Sequence, residues 1–193
     1  MYSVDKYLAY YAGTPRGKNS SVHYSEKRFE KARKQASLNS IPKEIVMKHI
    51  DDFLELLEMN DTKCYEMDVQ DIKDINYREI KSSNNLSDIR DIVWLKFTDD
   101  GYLGVVAVSN DINFDMPGSK ENYDERGKNG RWIHNTSGII VRSLGKEWNK
   151  KFVLLIPLKN IPDNLCRGDI ERGIGNYLIF QGVPILDFYS RNY

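Results

Sequence analysis

Cysteine and histidine are scarce in this sequence, at two and three residues, and the scarcity of cysteine removes a class of function. Cys64 and Cys166 lie far apart and neither has a CxxC partner. Neither a disulfide framework nor a zinc site is therefore expected, and a reducing compartment fits best. Long apolar runs are missing too. None reaches the roughly 18 residues that a membrane-spanning helix requires, and the opening stretch MYSVDKYLAYYAG lacks the basic-then-apolar layout of a secretion signal. The expectation is a soluble, cytoplasmic protein without a membrane partner. Net charge is zero, with 28 basic and 28 acidic side chains. Such a balance disfavours binding to an extended duplex, which calls for a marked positive excess. No internal repeat or low-complexity tract is present, and nothing in the chain calls for a bound cofactor or metal.

What is present fits one globular domain over residues 1–193, since 40% hydrophobic and 29% charged residues are ordinary proportions for a folded chain of this length. The abundance of Lys, Asn, Ile and Asp has the look of an AT-rich bacterial or phage genome. The zero net charge conceals a division along the chain. Residues 1–36 carry eight basic and three acidic side chains, residues 37–100 eight and fifteen, and residues 101–193 twelve and ten. A basic segment followed by an acidic one makes a two-faced surface, or else the two lie side by side and neutralise each other.

The apolar spacing predicts an α+β domain with a mixed sheet. KYLAYYA at 6–12 is aromatic and β-prone and runs into the breaker string GTPRGKNSS, which predicts a strand and a loop. Two N-terminal helices follow. Ser25 caps a short basic one to about Gln35, and Ser40 and Pro42 open a second to about Met59, with Val46, Ile50, Phe53, Leu54 and Leu57 facing inward. Strands are expected in KCYEMDV, INYREIK, IVWLKFT and YLGVVAVS, the last two forming an antiparallel hairpin over about 92–108 around Asp99-Asp100-Gly101. Residues 116–131 hold glycines, a proline and many charges without an apolar period, and read as a mobile loop. Beyond it come SGIIVRS and KFVLLIPL, the latter apolar enough for a central strand buried on both faces. A helix capped by Asp169 runs to Gln181, with Ile170, Ile174, Tyr177 and Leu178 inward and Gly182 ending it before VPILDFYS. This C-terminal β-α-β unit implies parallel neighbours.

The loop at 13–21 is the foremost candidate site. Gly13 and Gly17 let backbone N–H groups approach an anion, Arg16 and Lys18 supply charge, and Ser20 supplies a hydroxyl. The order differs from the phosphate-binding pattern GxxxxGK[ST], because three residues separate the glycines and Asn19 stands at the magnesium-binding hydroxyl position. The other reading is a connector rich in turn residues. The adjoining helix adds Lys27, Arg28, Lys31, Arg33 and Lys34, with Tyr24 and Phe29 interleaved as stacking partners for bases. Asp51, Asp52, Glu55 and Glu58 on the next helix oppose that field. Arg131 and Trp132, directly after the long loop, have the layout of a lid over a ligand, or of an anchor for the loop's end.

His23-Tyr24-Ser25 and His134-Asn135-Thr136 both read H-x-[ST]. The pair resembles the twin motif of the two-histidine phosphoesterases. That resemblance, six residues long, implies that His23 and His134 move protons at a phosphodiester while Ser25 and Thr136 hold its oxygens. The third histidine, His49, reads as a core-edge residue. Glu79-Ile80-Lys81 behind Asp68, Asp71 and Asp74 is similar to the magnesium-holding string of restriction-type nucleases, but a solvated strand face explains it better. Cys64 reads as packed rather than nucleophilic. The expected function is therefore binding, or sequestration, of a phosphate-bearing small molecule, nucleotide or short nucleic acid. The alternatives are a non-catalytic inhibitor of phage or mobile-element type that docks on a host protein, and a metal-independent phosphodiesterase.

Overall fold

A computed structural model describes residues 4–8, 34, 41–68, 82–83, 85–98, 101–110, 152–183 and 185. Its elements in chain order are α1 (Asp5–Leu8), α2 (Lys43–Leu56), β1 (Tyr65–Asp68), β2 (Asp91–Phe97), β3 (Leu103–Asn110), β4 (Phe152–Pro157) and α3 (Arg167–Phe180). The chain is of mixed α+β class, with helices and a four-stranded sheet.

Helix α2 begins after Pro42, whose fixed φ suits a helix entrance. Val46, Ile50, Phe53 and Leu54 fall on one face and are buried there. The helix stops at Leu56, short of the expected Met59, because Glu58 turns into the left-handed region at φ 60°. The N–H groups of Glu58 and Met59 then donate to the carbonyls of Glu55 (2.9 Å) and Leu54 (3.0 Å), which satisfies the open end of the helix. A glycine normally marks such a stop. Here a glutamate does, a residue that no stop signal in the local sequence distinguishes.

Helix α3 starts two residues before its expected cap. Cys166 is the N-cap, and Asp169 sits three residues on, where its carboxylate accepts the Cys166 N–H at 2.8 Å. Asp169 thus secures the helix start from inside the first turn. At the other end Gly182, at φ 83°, reverses the chain, with Gly182 and Val183 donating back to Ile179 and Leu178. The inward residues Ile170, Ile174, Tyr177 and Leu178 are all buried, as their spacing predicts.

The strand order is β1-β4-β2-β3 with every neighbour antiparallel. The hairpin β2–β3 occupies the expected place, closed by Thr98 N–H to the Tyr102 carbonyl (2.8 Å) and by Gly101 at φ 90°. Its register pairs Lys96 with Val105 but Phe97 with Leu103, so Gly104 is the extra residue of a bulge. The bulge restores Leu103 to the same face as Val106. β4 is interior, with Tyr65–Asp68 on one side and Ile92–Leu95 on the other, and Val153 to Ile156 are fully buried. This is the central strand that the apolar run KFVLLIPL predicts. The expected parallel neighbours are not seen between these four strands; parallel pairing is limited, among the described residues, to the single bridge Leu103 to Ile185.

The core lies between one sheet face and the helices. Val93, Leu95 and Phe97 of β2, Val106 of β3, and Leu154 and Ile156 of β4 meet Val46, Ile50 and Phe53 of α2 and Ile170, Ile174 and Leu178 of α3. Each side chain buried in this way contributes roughly 1.5–3 kcal/mol. The other face, with Ile92, Trp94, Val105, Ala107, Val153 and Leu155, is buried as well. Among the described residues no helix joins it to the main core.

Candidate functional site

Residues 5–8 form a turn of helix, not the strand their aromatic, β-prone composition predicts. Tertiary packing overrides the local preference. Tyr7 is buried, with its ring edge-on to Tyr177 at 5.0 Å, Phe180 at 5.6 Å and Phe53 at 6.1 Å between centroids. A single helical turn leaves its last carbonyls without partners. Two α3 side chains supply them: Asn176 Nδ2 donates to Tyr7 O at 2.6 Å and Arg172 Nε to Leu8 O at 2.9 Å. Arg172 is itself held by Asp169. The Cys166 N–H and thiol, and then Arg172, hold the Asp169 carboxyl below its ordinary range.

Close approach of α1 and α2 to α3 is possible because residue 173 is glycine. A Cβ there would overlap Phe53 Cζ and meet Leu8 Cδ2 at 3.0 Å. Lys6 lies on the outer side of this junction, its ammonium 4.0 Å from the centroid of Phe180 and 4.6 Å from that of Tyr7. Phe180 is 64% exposed. The start of the chain, five residues before Gly13, is thus fastened to α3 by two hydrogen bonds and an aromatic cluster.

Gly13, Arg16, Gly17, Lys18, Ser20, Arg28, Lys31, Arg131 and Trp132 lie outside the described residues, as do His23, Ser25, His134 and Thr136. Of the basic helix only Lys34 is described; it is helical and exposed. The loop at 116–131 and the strands expected in INYREIK and SGIIVRS also lie outside. The acidic side chains set against them are in view. Asp51, Glu55 and Glu58 are exposed along or just after α2, and Asp52 pairs with Lys48 at 2.9 Å. Asp68 is exposed at the end of β1, and the described residues contain no cluster of three or more metal-ligating side chains.

His49 is half-buried at the core edge, as read from its place beside the apolar stripe. Its Nδ1 is buried without a hydrogen bond, 3.8 Å from the Asp52 carboxylate and near the Tyr177 ring. Cys64 is buried just before β1, and burial, followed by the charges of Asp51 and Glu66, pushes its thiol well up. It is a packed residue with little thiolate character.

Lys96 is chemically unusual and belongs to none of the candidate sites expected from the sequence. It is 1% exposed on β2, on the sheet face away from the helices, and burial lowers its ammonium from 10.5 to about 7. The signal was available: the alternation Ile92, Trp94, Lys96, Thr98 puts a lysine on a strand whose two faces are both apolar.

Comparison with protein families, curated proteins and solved structures finds no match for this chain. Its chemistry must be argued from its own residues. In the described part these offer a cation on an open aromatic ring at α1 and α3, and a buried amine in the sheet.

Proposed function

We propose that the protein binds a phosphate-bearing ligand, either a nucleotide or a short nucleic acid strand, through its basic N-terminal segment. The observation that carries this reading is the concentration of eight basic against three acidic side chains in residues 1–36, around a loop with the composition of an anion cradle. Backbone N–H groups near Gly13 and Gly17 take phosphate oxygens, Arg16, Lys18, Arg28 and Lys31 supply charge, and Ser20 a hydroxyl. Arg131 and Trp132 close over the ligand. The fixing of α1 on α3 supports the reading, because a segment tied down at Leu8 loses less conformational freedom on binding than a free terminus does. The exposed carboxylates of α2 oppose the charge of the basic segment, which disfavours an extended duplex as the ligand.

A thermal-shift screen of nucleotides, cyclic dinucleotides and short oligonucleotides tests this directly. A ligand present at 100 times its Kd stabilises the folded state by about 2.7 kcal/mol, which raises Tm by several degrees in a chain of this size. The rise is expected to vanish in the doubly reversed variant R16E/K18E. Absence of any shift at millimolar ligand refutes the reading.

A further inference from the structure

We propose that the groove between α2 and α3 is a peptide-docking site, that α1 is its resident occupant, and that its ligand is a partner's single helical turn ending in a tyrosine and an apolar residue. Phosphate binding plays no part in it.

Seen from α3, α1 has the features of a bound ligand. It is one turn long, and a helix of four residues does not hold its shape in water by itself. Its conformation is therefore imposed by the surface it lies on. Only one side of it is read, since Tyr7 is buried and Leu8 half-buried while Asp5 and Lys6 are exposed. Tyr7 is the anchor, with the rings of Tyr177, Phe180 and Phe53 set around it at 5.0, 5.6 and 6.1 Å. The main chain is read as well: Asn176 Nδ2 donates to Tyr7 O at 2.6 Å and Arg172 Nε to Leu8 O at 2.9 Å. An aromatic anchor, together with donors for the open carbonyls of a helix end, is how a groove recognises a short helix.

The groove takes its shape from α2 and α3. Phe53 and Tyr177 pack on each other at 5.5 Å between centroids. Between them and Leu8 the recess exists because residue 173 has no side chain; a Cβ there would overlap Phe53 Cζ and meet Leu8 Cδ2 at 3.0 Å. Arg172 is held by Asp169, whose carboxylate accepts the Cys166 N–H at 2.8 Å within the first turn of α3. Walls, floor and one clamp are thus positioned without α1. A preorganised site of this kind binds a segment of another molecule with little cost beyond ordering that segment.

The tether bounds the affinity. Residues 9–42 join α1 to α2, and a tethered segment meets its site at an effective concentration on the order of millimolar. It stays seated only if its own Kd lies below that value. A free copy of the segment should therefore fill an emptied groove, and a partner that presents the same turn, tyrosine then leucine with both carbonyls open, competes with α1 for it.

The probe is the heptapeptide SVDKYLA, residues 3–9, titrated into isotope-labelled full-length wild type and Tyr7→Ala and followed by NMR shifts along α3. Tyr7→Ala vacates the anchor's seat. The expected result is a Kd below about 1 mM for Tyr7→Ala, with shifts at Gly173 and Asn176, and binding weaker by on the order of tenfold in wild type, where α1 competes. The peptide carrying the same Tyr7→Ala change should not bind. Matching shifts on raising the concentration of wild type alone would identify a second copy of this chain as the partner. Native-state hydrogen exchange reads separability without any substitution: the Tyr7 N–H, which donates to Val4 O at 2.9 Å, should exchange through a local opening that leaves the α3 amides protected. A folded Tyr7→Ala that ignores the peptide overturns the site. Failure of that variant to fold, or exchange of the Tyr7 N–H only on global unfolding, overturns it too, since either makes α1 an inseparable part of the core.

Discussion

Lys96 imposes a pH dependence whose sign follows from its burial. Its ammonium falls from 10.5 to about 7 in the folded chain. Between those values the unfolded chain binds the proton and the folded chain does not, so stability rises with pH across the window. Below about 7 both states are protonated and the burial penalty is present in full; above 10.5 neither is, and it is gone. The change between pH 7 and pH 9 is worth about 2 kcal/mol. Urea unfolding of wild type and Lys96→Met at those two pH values isolates the effect from other titrating groups. The variant is expected to be the more stable at pH 7, with a smaller gain on going to pH 9. Equal pH dependence in the two proteins would show that Lys96 is charged or solvated in the native state. The two thiols give a second residue-scale test. Cys64 is buried and its thiol pushed up, while Cys166 is exposed. One thiol per chain should react rapidly with a disulfide reagent under native conditions, and two in denaturant. Two rapid equivalents in the native protein would mean that β1 opens readily.

At the scale of elements, the junction of α1, α2 and α3 depends on a missing side chain. Gly173→Ala adds a Cβ that overlaps the Phe53 ring, which is fully buried and has no room to retreat. The substitution gains roughly 1 kcal/mol of helix propensity, yet overpacking of this kind costs about 1–3 kcal/mol, and Leu8 loses its seat as well. A net loss of about 1 kcal/mol is expected by chemical denaturation, and a stabilised variant would contradict the packing. Asp169→Ala removes the acceptor for the Cys166 N–H and the partner of Arg172, and should cost about 1 kcal/mol. The elements legible in the sequence are those fixed by regular spacing: the Val46, Ile50, Phe53 stripe, the inward face of α3, the hairpin at Gly101, and the continuous apolar run of β4. Those misread were set by contacts distant in sequence. KYLAYYA has a strand's composition, but Tyr7 is claimed by Phe53 and Tyr177, and its carbonyl by Asn176. The end of α2 was misplaced because Glu58 adopts a backbone conformation usually given to glycine. The site was legible only as composition. GTPRGKNSS and the basic segment after it have the composition expected of an anion site, but no spacing rule places Lys6 on Phe180, a contact made across most of the chain's length.

For the whole molecule, the division of charge matters more than its sum. Residues 1–36 carry an excess of five positive charges and residues 37–100 an excess of seven negative ones, while the chain is neutral. A uniformly neutral surface would bind a phosphate-bearing ligand with little regard to salt. Under the proposed function, a local basic segment would draw the ligand by a field that counterions screen, with a Debye length of about 10 Å at 0.1 M and 3 Å at 1 M. The exposed carboxylates of α2 would act in the opposite sense on any further phosphate of such a ligand that reaches them. The two together predict a length dependence. Affinity for oligothymidine should rise over the first few nucleotides and then level off, and the loss on raising salt from 50 to 300 mM should likewise stop growing with length. A true strand-tracking groove behaves differently, adding salt dependence with every phosphate it neutralises. Reversing the exposed carboxylates Asp51, Glu55 and Glu58 to lysine should remove the plateau and let longer oligomers bind more tightly. Titrations of a length series by fluorescence anisotropy at two salt concentrations, on wild type and this variant, decide the matter. A wild-type affinity that climbs steadily with length, or a variant that keeps the plateau, would show that the acidic helix does not limit the ligand.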